Sequence, residues 1–525
     1  MLRRLATVAC TAAALLALGA CNDDAFLTEQ PFDFVGPQNF YRTQGDALAA
    51  VNGVYATFIN STGDNYYGRN FIMLVEYPTE MVTTSLSFNN ERSLVDNYTF
   101  TPSQSYIYSS WQGAYAAINR ANSVIGRVPA IDMDTTLRNR IVGEAKFLRG
   151  LHYFNLVRLF GAVPLHTNET TTLDSLKAPR APAADVYAQI ITDLQDAAKV
   201  LPASYTGSDI GRATKGAAKT LLAKVYLQRA GTGVSANAAA DYQSALDLLN
   251  DVQATGGYSL VPDFGFLFDM AHEVNSEVIF DIQNTRQAGL GGRLSSYMAP
   301  RNSNYGASQN ASFEAEQPFF DAYTTADSVR KRVTWQLTFT NKSNAVVAWD
   351  ATQTASKPYG ADTPYPNKFL DRQSTGGGLD EPNYIILRYA DNLLMQAEAI
   401  NELSGPTTLA YAAINAVRTR PALQGKPSIG NLVAGLSKAA FRDSVFAQRR
   451  LELALEGPNG YFDSQRNWPW AKALVERNMA LGKTGNFKLS KYPKAQVALD
   501  DHFRLMPIPQ KARDLNPNLT QNPGY

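Results

Sequence analysis

Cysteine is nearly missing: two in 525 residues, Cys10 and Cys21, both at the very start. The body of the chain therefore cannot form a disulfide or a thiolate metal site. Histidine is almost as scarce, with only His152, His166, His272 and His502. None stands in a His-Glu-x-x-His arrangement, which places two imidazoles on one helix face in zinc hydrolases. His152 falls in an apolar helical stripe and reads as a core residue. There is no Gly-x-Ser-x-Gly elbow. Gly289-Leu290-Gly291-Gly292 lacks the Lys and Ser or Thr of a phosphate loop and reads as a hinge. An excess of one charge is also lacking, with 48 basic against 47 acidic residues, so nucleic acid is not an expected partner. No cofactor and no metal is expected. Asp132-Met133-Asp134 reads as a helix cap or solvated turn rather than a cation site. No pair among the acidic residues is marked out for glycoside cleavage.

Nor does any apolar run reach the roughly 20 residues that span a bilayer. The run Leu5–Ala17 follows Met1-Leu2-Arg3-Arg4 and precedes Leu18-Gly19-Ala20-Cys21. A cationic start, a short apolar stretch and small residues at a cut site make an export signal over residues 1–20. Small residues ending at Cys form a lipobox, so the mature chain is expected to begin at an acylated Cys21, palmitate among its chains. Several acyl chains hold a protein firmly where one holds it marginally. The plain alternative is a secreted protein with a chance cysteine at the boundary. Losing Arg3 and Arg4 leaves 46 basic against 47 acidic side chains. Residues 21–40 read as a lipidated tether. Asp23-Asp24 resembles a surface-export signal, or is simply a solvated linker.

What the chain does have is apolar bulk: 45% hydrophobic residues, with 26 Tyr and 25 Phe. That suffices for a large core without disulfides. Helical periodicity dominates. Ala47, Leu48, Val51, Val54, Tyr55 and Phe58 share one face. Trp111–Ile125 repeats the pattern. Glu144–Phe160 is predicted as a helix stopped by Gly161 and Pro164, and Pro182–Leu201 as another. Residues 66–104 read as loop, Leu436–Leu455 as the last helix, and the tail after Asp501 as extended. A short internal similarity links Ala218–Val225 with Ala390–Ala397, each followed by an amphipathic segment, Tyr242–Thr255 and Leu409–Arg418. Small residues beside paired leucines let neighbouring helices approach closely, as in tetratricopeptide-type pairs.

The expected fold is therefore all-α: irregular tetratricopeptide-like pairs in a superhelix, with long insertions and minor β content. One domain is expected over 41–525, its ligand-facing insertions near 60–110 and 256–382. Loops this long are usually functional. The second holds a strand-like patch, Glu277–Gln283. Binding residues concentrate in both: Tyr66, Tyr67, Arg69, Phe88, Asn89, Asn90 and Arg92 in the first, Tyr297, Arg301, Tyr305, Trp335 and Trp349 in the second. Rigid aromatic faces with a few directional polar groups suit sugars or peptides.

Seven stretches, in order, resemble one family. They are Trp111–Asn122 (WQGAYAAINRAN), Glu144–Leu165 (EAKFLRGLHYFNLVRLFGAVPL), Arg212–Leu227 (RATKGAAKTLLAKVYL), Tyr384–Leu403 (YIILRYADNLLMQAEAINEL), Ile414–Arg420 (INAVRTR), Arg449–Gly457 (RRLELALEG) and Pro507–Tyr525 (PIPQKARDLNPNLTQNPGY). The chain resembles the SusD/RagB nutrient-binding lipoproteins. That resemblance implies a helical scaffold without catalysis. It also implies a role in the outer membrane, at the cell surface: capturing an oligomeric nutrient, most often a glycan, for a SusC-like TonB-dependent transporter. The alternatives are a peptide- or protein-fragment-binding member, an exported glycan hydrolase, and a scaffold that assembles envelope proteins. One departure lies after the Arg-Arg-Leu-Glu helix. Many members carry a His-Arg-Trp-Phe-Asp-like run there, and this chain has Pro458-Asn459-Gly460-Tyr461-Phe462-Asp463.

Overall fold

In a computed structural model the described residues are 40–59, 66–84, 91–172, 176–287, 290–306, 309–348, 364–374, 376, 378–457, 459–483 and 497–525. Cys21, Phe88, Asn89, Asn90 and Trp349 lie outside them. The longer helices are α1 (Gln44–Tyr55), α2 (Ser105–Arg127), α3 (Thr135–Phe160), α4 (Ala183–Val200), α5 (Lys215–Gly231), α6 (Ala238–Thr255), α7 (Tyr389–Ser404), α8 (Thr408–Arg418), α9 (Lys438–Leu453), α10 (Asn459–Arg466) and α11 (Trp468–Lys483). Many begin at a side chain that accepts an otherwise unpaired backbone N–H. Thr43 and Asp46 form a reciprocal capping box on α1. Asp134 Oδ1 accepts from Leu137 N at 2.7 Å at the start of α3, which settles the Asp132–Asp134 motif as a cap. Thr214, Asn237, Thr407 and Ser437 do the same for α5, α6, α8 and α9.

Consecutive helices stack: α2 on α3, α3 on α4, α4 on α5, α5 on α6, and then α6 on α7 although residues 256–388 intervene. The fold is the tetratricopeptide-like helical superhelix with little strand. Close approach needs small residues. A Cβ on Gly143 of α3 would stand 2.5 Å from Val200 Cγ2, and one on Gly150 would stand 3.1 Å from Leu194 Cγ. The internal similarity has a direct meaning. Ala223 and Leu227 of α5, Ala245 and Leu249 of α6, and Met395 and Ala399 of α7 form one buried cluster.

The excursion 256–388 thus leaves the stack and returns to an adjacent place in it. Its base is an antiparallel pair, β1 (Val278–Ile282) with β2 (Tyr384–Arg388), in which Ile282 faces Tyr384 and Val278 faces Arg388. Buried charges pin this base to the helices. Arg388 Nη1 lies 2.8 Å from Glu277 Oε1 and 2.9 Å from Glu452 Oε1, and Arg420 Nη2 reaches the same two carboxylates at 2.9 Å each. In a low-dielectric interior such charges persist only when each is paired.

Four sequence expectations need correction. The stretch read as loop, 66–104, contains a π-turn at Tyr66–Asn70 and short helices at Phe71–Glu76 and Glu91–Asp96. All three are too short for a 3.6-residue period to show, and Phe71–Glu76 is buried on every side. α9 is not the last helix, since α10 and α11 follow, and the tail contains Gln510–Leu515. α3 begins at Thr135, ahead of the expected Glu144. The altered motif packs normally: Tyr461 donates to Phe503 O at 2.8 Å, and the Arg158 guanidinium sits 3.9 Å from the Phe462 ring centre.

Candidate functional site

The first insertion turns over α2 and α3 through the π-turn. Its geometry buries Tyr66, Tyr67 and Asn70 and leaves Gly68 and Arg69 half-buried. Tyr66 and Tyr67, expected on the ligand face, are each 3% exposed. Asn155 of α3 donates to both hydroxyls, at 2.8 and 2.7 Å. Burial holds the Tyr67 hydroxyl up at about 12 and the Tyr66 hydroxyl well above its usual range. His152 lies against Tyr66 and Phe58 with its ring tilted to both, and burial drives its imidazole down to about 3, so it is neutral. These groups support the turn from beneath.

Asn70, fully buried, accepts from Arg69 Nε at 2.8 Å and donates to Ser109 Oγ at 2.7 Å. This orients the Arg69 guanidinium. It then donates to the Tyr297 hydroxyl at 3.1 Å and lies 5.4 Å from the Tyr297 ring centre. Arg92, from Glu91–Asp96, lies 5.6 Å from the same ring. It donates to Tyr106 Oη at 3.3 Å and Ser312 Oγ at 2.6 Å. Burial works against the Arg92 charge, and Tyr77, Tyr106 and Tyr297 outweigh it, so its pKa is raised. Two guanidiniums thus lie within about 5.6 Å of the centre of one half-buried tyrosine ring, with Tyr106 as a fourth member. Four segments meet here: the π-turn, Glu91–Asp96, the first turn of α2, and, far along the chain, the helix Leu294–Met298 of the excursion.

The structure therefore brings Arg69, Arg92 and Tyr297 together and adds Tyr106, which the sequence reading did not single out. Tyr106 is 5% exposed in the first turn of α2, and its only signal was the aromatic pair with Tyr108. Arg301 is half-buried and makes no side-chain hydrogen bond among the described residues. Tyr305 packs into a small satellite cluster with Ala299, Phe339 and Leu370, beneath Arg372 at 5.3 Å. Trp335 was expected to present its face but is fully buried, edge-on to Phe319 at 6.1 Å. Beside the patch, between Gly68 and residues 291–295, is a hollow of about 30 Å³, roughly one water's share of liquid volume. Among the described residues no cluster of His, Cys, Asp and Glu could hold a metal, and no helix is long and apolar enough to cross a membrane.

The stacked-helix scaffold carries an arginine–tyrosine patch where the π-turn, Glu91–Asp96 and the excursion meet. The family is shown by its sequence profile: residues 224–525 match the SusD family, and residues 42–227 match a second family described as "Starch-binding associating with outer membrane". The chain belongs to the SusD family. SusD-like protein P2 of Formosa agariphila is 29% identical over 97% of this chain and 98% of its own. A SusD homolog from Bacteroides thetaiotaomicron superimposes with a TM-score of 0.77 at 25% identity, covering 93% of this chain and 98% of its own. The surface glycan-binding protein A of the same organism, solved in complex with laminarihexaose, has a TM-score of 0.72 at 19% identity, covering 91% and 99%. At that identity the likeness is one of fold.

Proposed function

We propose that this chain is an outer-membrane lipoprotein, anchored through Cys21, that captures an oligosaccharide at the Arg69–Tyr297–Arg92 patch. It passes the sugar, chemically unchanged, to a SusC-like TonB-dependent transporter. The observation that carries the reading is the half-buried Tyr297 ring with two guanidiniums at 5.4 and 5.6 Å from its centre. An aromatic face stacks on the C–H face of a pyranose, and the planar donor fork of arginine matches paired hydroxyls. The laminarihexaose complex of the B. thetaiotaomicron protein supports a glycan ligand, and the description of the second family supports the location.

Shallow sites of this kind hold each sugar weakly, and tethering beside a transporter raises the effective concentration. Titration calorimetry of the mature chain against soluble oligosaccharides, laminarihexaose among them, is expected to give saturable heat with at least one. Flat traces for every sugar, with saturable heat from peptides, would transfer the patch to peptide capture. For the hand-off, the transporter barrel is expected to co-purify with the chain, and uptake of the bound sugar to fall when the chain is deleted.

A further inference from the structure

On the side of α2 turned away from that patch runs a second concavity of about 640 Å³, within the usual range of ligand sites. Tyr106 belongs to the patch and Tyr108 lines the groove; two residues apart in one helical turn, they point about 200° apart around its axis. The floor continues along the same stripe with Trp111, Tyr115 and Asn119. The walls come from residues 164–170, 176–177 and 512–519. They are fastened in place by the protein itself. Asn122 donates to His166 O and Asn168 O at 2.9 Å each, and Asn119 Oδ1 accepts from Thr170 N at 2.8 Å. Asn516 donates to Ala178 O at 2.8 Å. The Tyr115 hydroxyl donates to Pro164 O at 2.8 Å, and Lys511 Nζ lies 4.7 Å from the Tyr108 ring centre.

The lining also holds hydrogen-bonding groups that the protein leaves unused. Trp111 is only 7% exposed, yet its indole N–H has no partner among the described residues. Neither have the Tyr108 hydroxyl, the Gln112 amide and Asn119 Nδ2. A buried donor without a partner is rare in a folded protein. In a ligand site a few such groups fix the orientation of what binds. The groove is close to neutral. No Asp or Glu stands in its described lining, Lys177 is the one charged side chain there, and burial lowers the His166 imidazole so that it is uncharged at neutral pH.

These properties select a ligand. A cation finds no carboxylate. A wholly apolar molecule would leave the four spare groups dry and unpaired, which opposes binding. An oligosaccharide satisfies both halves of the lining. Its C–H faces pack on Tyr108, Tyr115 and the half-exposed Leu176 and Leu515, and its hydroxyls pair with the indole N–H and the amides. From Tyr108 to Asn119 the helix runs about 16 Å, enough for more than one ring. We propose that this groove is a second binding site, for an uncharged oligosaccharide. No guanidinium lines it, and neutral hydrogen bonds are weaker than charge-assisted ones, so its hold is at least tenfold looser than that of the Arg69–Tyr297–Arg92 patch. Two sites on opposite faces of one helix let the protein hold a long glycan at two points or two short ones at once. The groove shares its ligand class with the proposed function but does not depend on the Tyr297 patch.

The test is maleimide labelling of Ala116→Cys, an exposed lining position, in the mature chain, beside Gln243→Cys, exposed on α6. The probes are maltohexaose, cellohexaose, laminarihexaose, xylohexaose and mannohexaose. At least one is expected to slow the labelling of Ala116→Cys, about threefold at about twice its dissociation constant, and to leave Gln243→Cys unchanged. The slowing is expected to persist when Tyr297→Ala is added. It is expected to vanish when Tyr108→Ala and Gln112→Ala are added together, with unchanged far-ultraviolet dichroism. No slowing by any probe would overturn the proposal. So would slowing that survives the Tyr108→Ala and Gln112→Ala pair, slowing that disappears with Tyr297→Ala, or slowing by a leucine-rich peptide and by no sugar. Slowing that persists while Tyr297→Ala leaves the calorimetric affinity of the parent untouched would uphold the groove and remove the patch.

Discussion

Arg388 grips Glu456 with two parallel hydrogen bonds, Nε to Oε2 at 2.6 Å and Nη2 to Oε1 at 2.9 Å, inside a fully buried site. Arg388 ends β2 and Glu456 follows α9, so this fork joins the base of the excursion to the helical stack. Glu277, Glu452, Arg420, Arg330 and Lys368 belong to the same cluster. Burial opposes the charge on Glu452, but Arg420, Arg388 and Arg330 outweigh it and hold its carboxyl far below the usual range.

Arg388→Met takes one guanidinium away from three buried carboxylates, Glu277, Glu452 and Glu456. Removing one partner of a buried pair typically costs about 3–5 kcal/mol. Urea unfolding of the mature chain is expected to show a loss of that size. Arg388→Lys should recover only part of it, because a lysine cannot make the fork.

Glu76 behaves in the opposite way. Burial pushes its carboxyl from 4.5 up to about 8, with Lys368 pulling it partly back. A folded value above the unfolded one means that ionisation costs stability. The group's favourable contribution is whole below about pH 4.5 and is lost as pH rises through about 8. Glu76→Gln removes that dependence. Its melting temperature is expected to match the parent near pH 4.5, to exceed it increasingly up to about pH 8, and to hold a constant gain above. A constant difference across the range would contradict the assignment.

Trp335 and Tyr297 separate interior from surface. Trp335→Phe removes packed volume from a fully buried site and is expected to cost about 1–3 kcal/mol of stability while leaving sugar affinity unchanged. Tyr297→Ala is expected to change the melting temperature little and to weaken sugar binding at least tenfold, as calorimetry would read it.

Asp134→Ala removes the N-terminal cap of α3. It is expected to lower stability by about 1 kcal/mol in thermal unfolding, with no change in ligand affinity.

Helices with one wet face were legible in the sequence because their apolar stripe repeats at 3.6 residues. α1, α2 and α4 are of this kind. α3 was legible only in its second half. Its first turns are largely exposed, and it is Asp134 that starts it. The motif Arg449–Gly457 could be read as a family signature but not explained. Its Arg449, Glu452 and Glu456 meet Asp391, Arg388 and Lys368, which lie far away in the chain. At the patch, residue types pointed to segments that meet in space, with Arg69, Arg92 and Tyr297 side by side. Composition could not say that the π-turn would bury Tyr66 and Tyr67 and leave Arg69 nearer the surface, because that choice is made by Asn155 and Asn70 beneath it. Trp335 misled for the same reason: its aromatic face suits a core as well as a ligand.

The most direct measurement compares the mature chain with Arg69→Ala, Arg92→Ala and Tyr297→Ala by calorimetry against whichever soluble oligosaccharide binds the parent. The account predicts saturable binding in the parent and at least a tenfold loss in each variant, with the folded state intact by circular dichroism. Undiminished affinity in all three variants would contradict it.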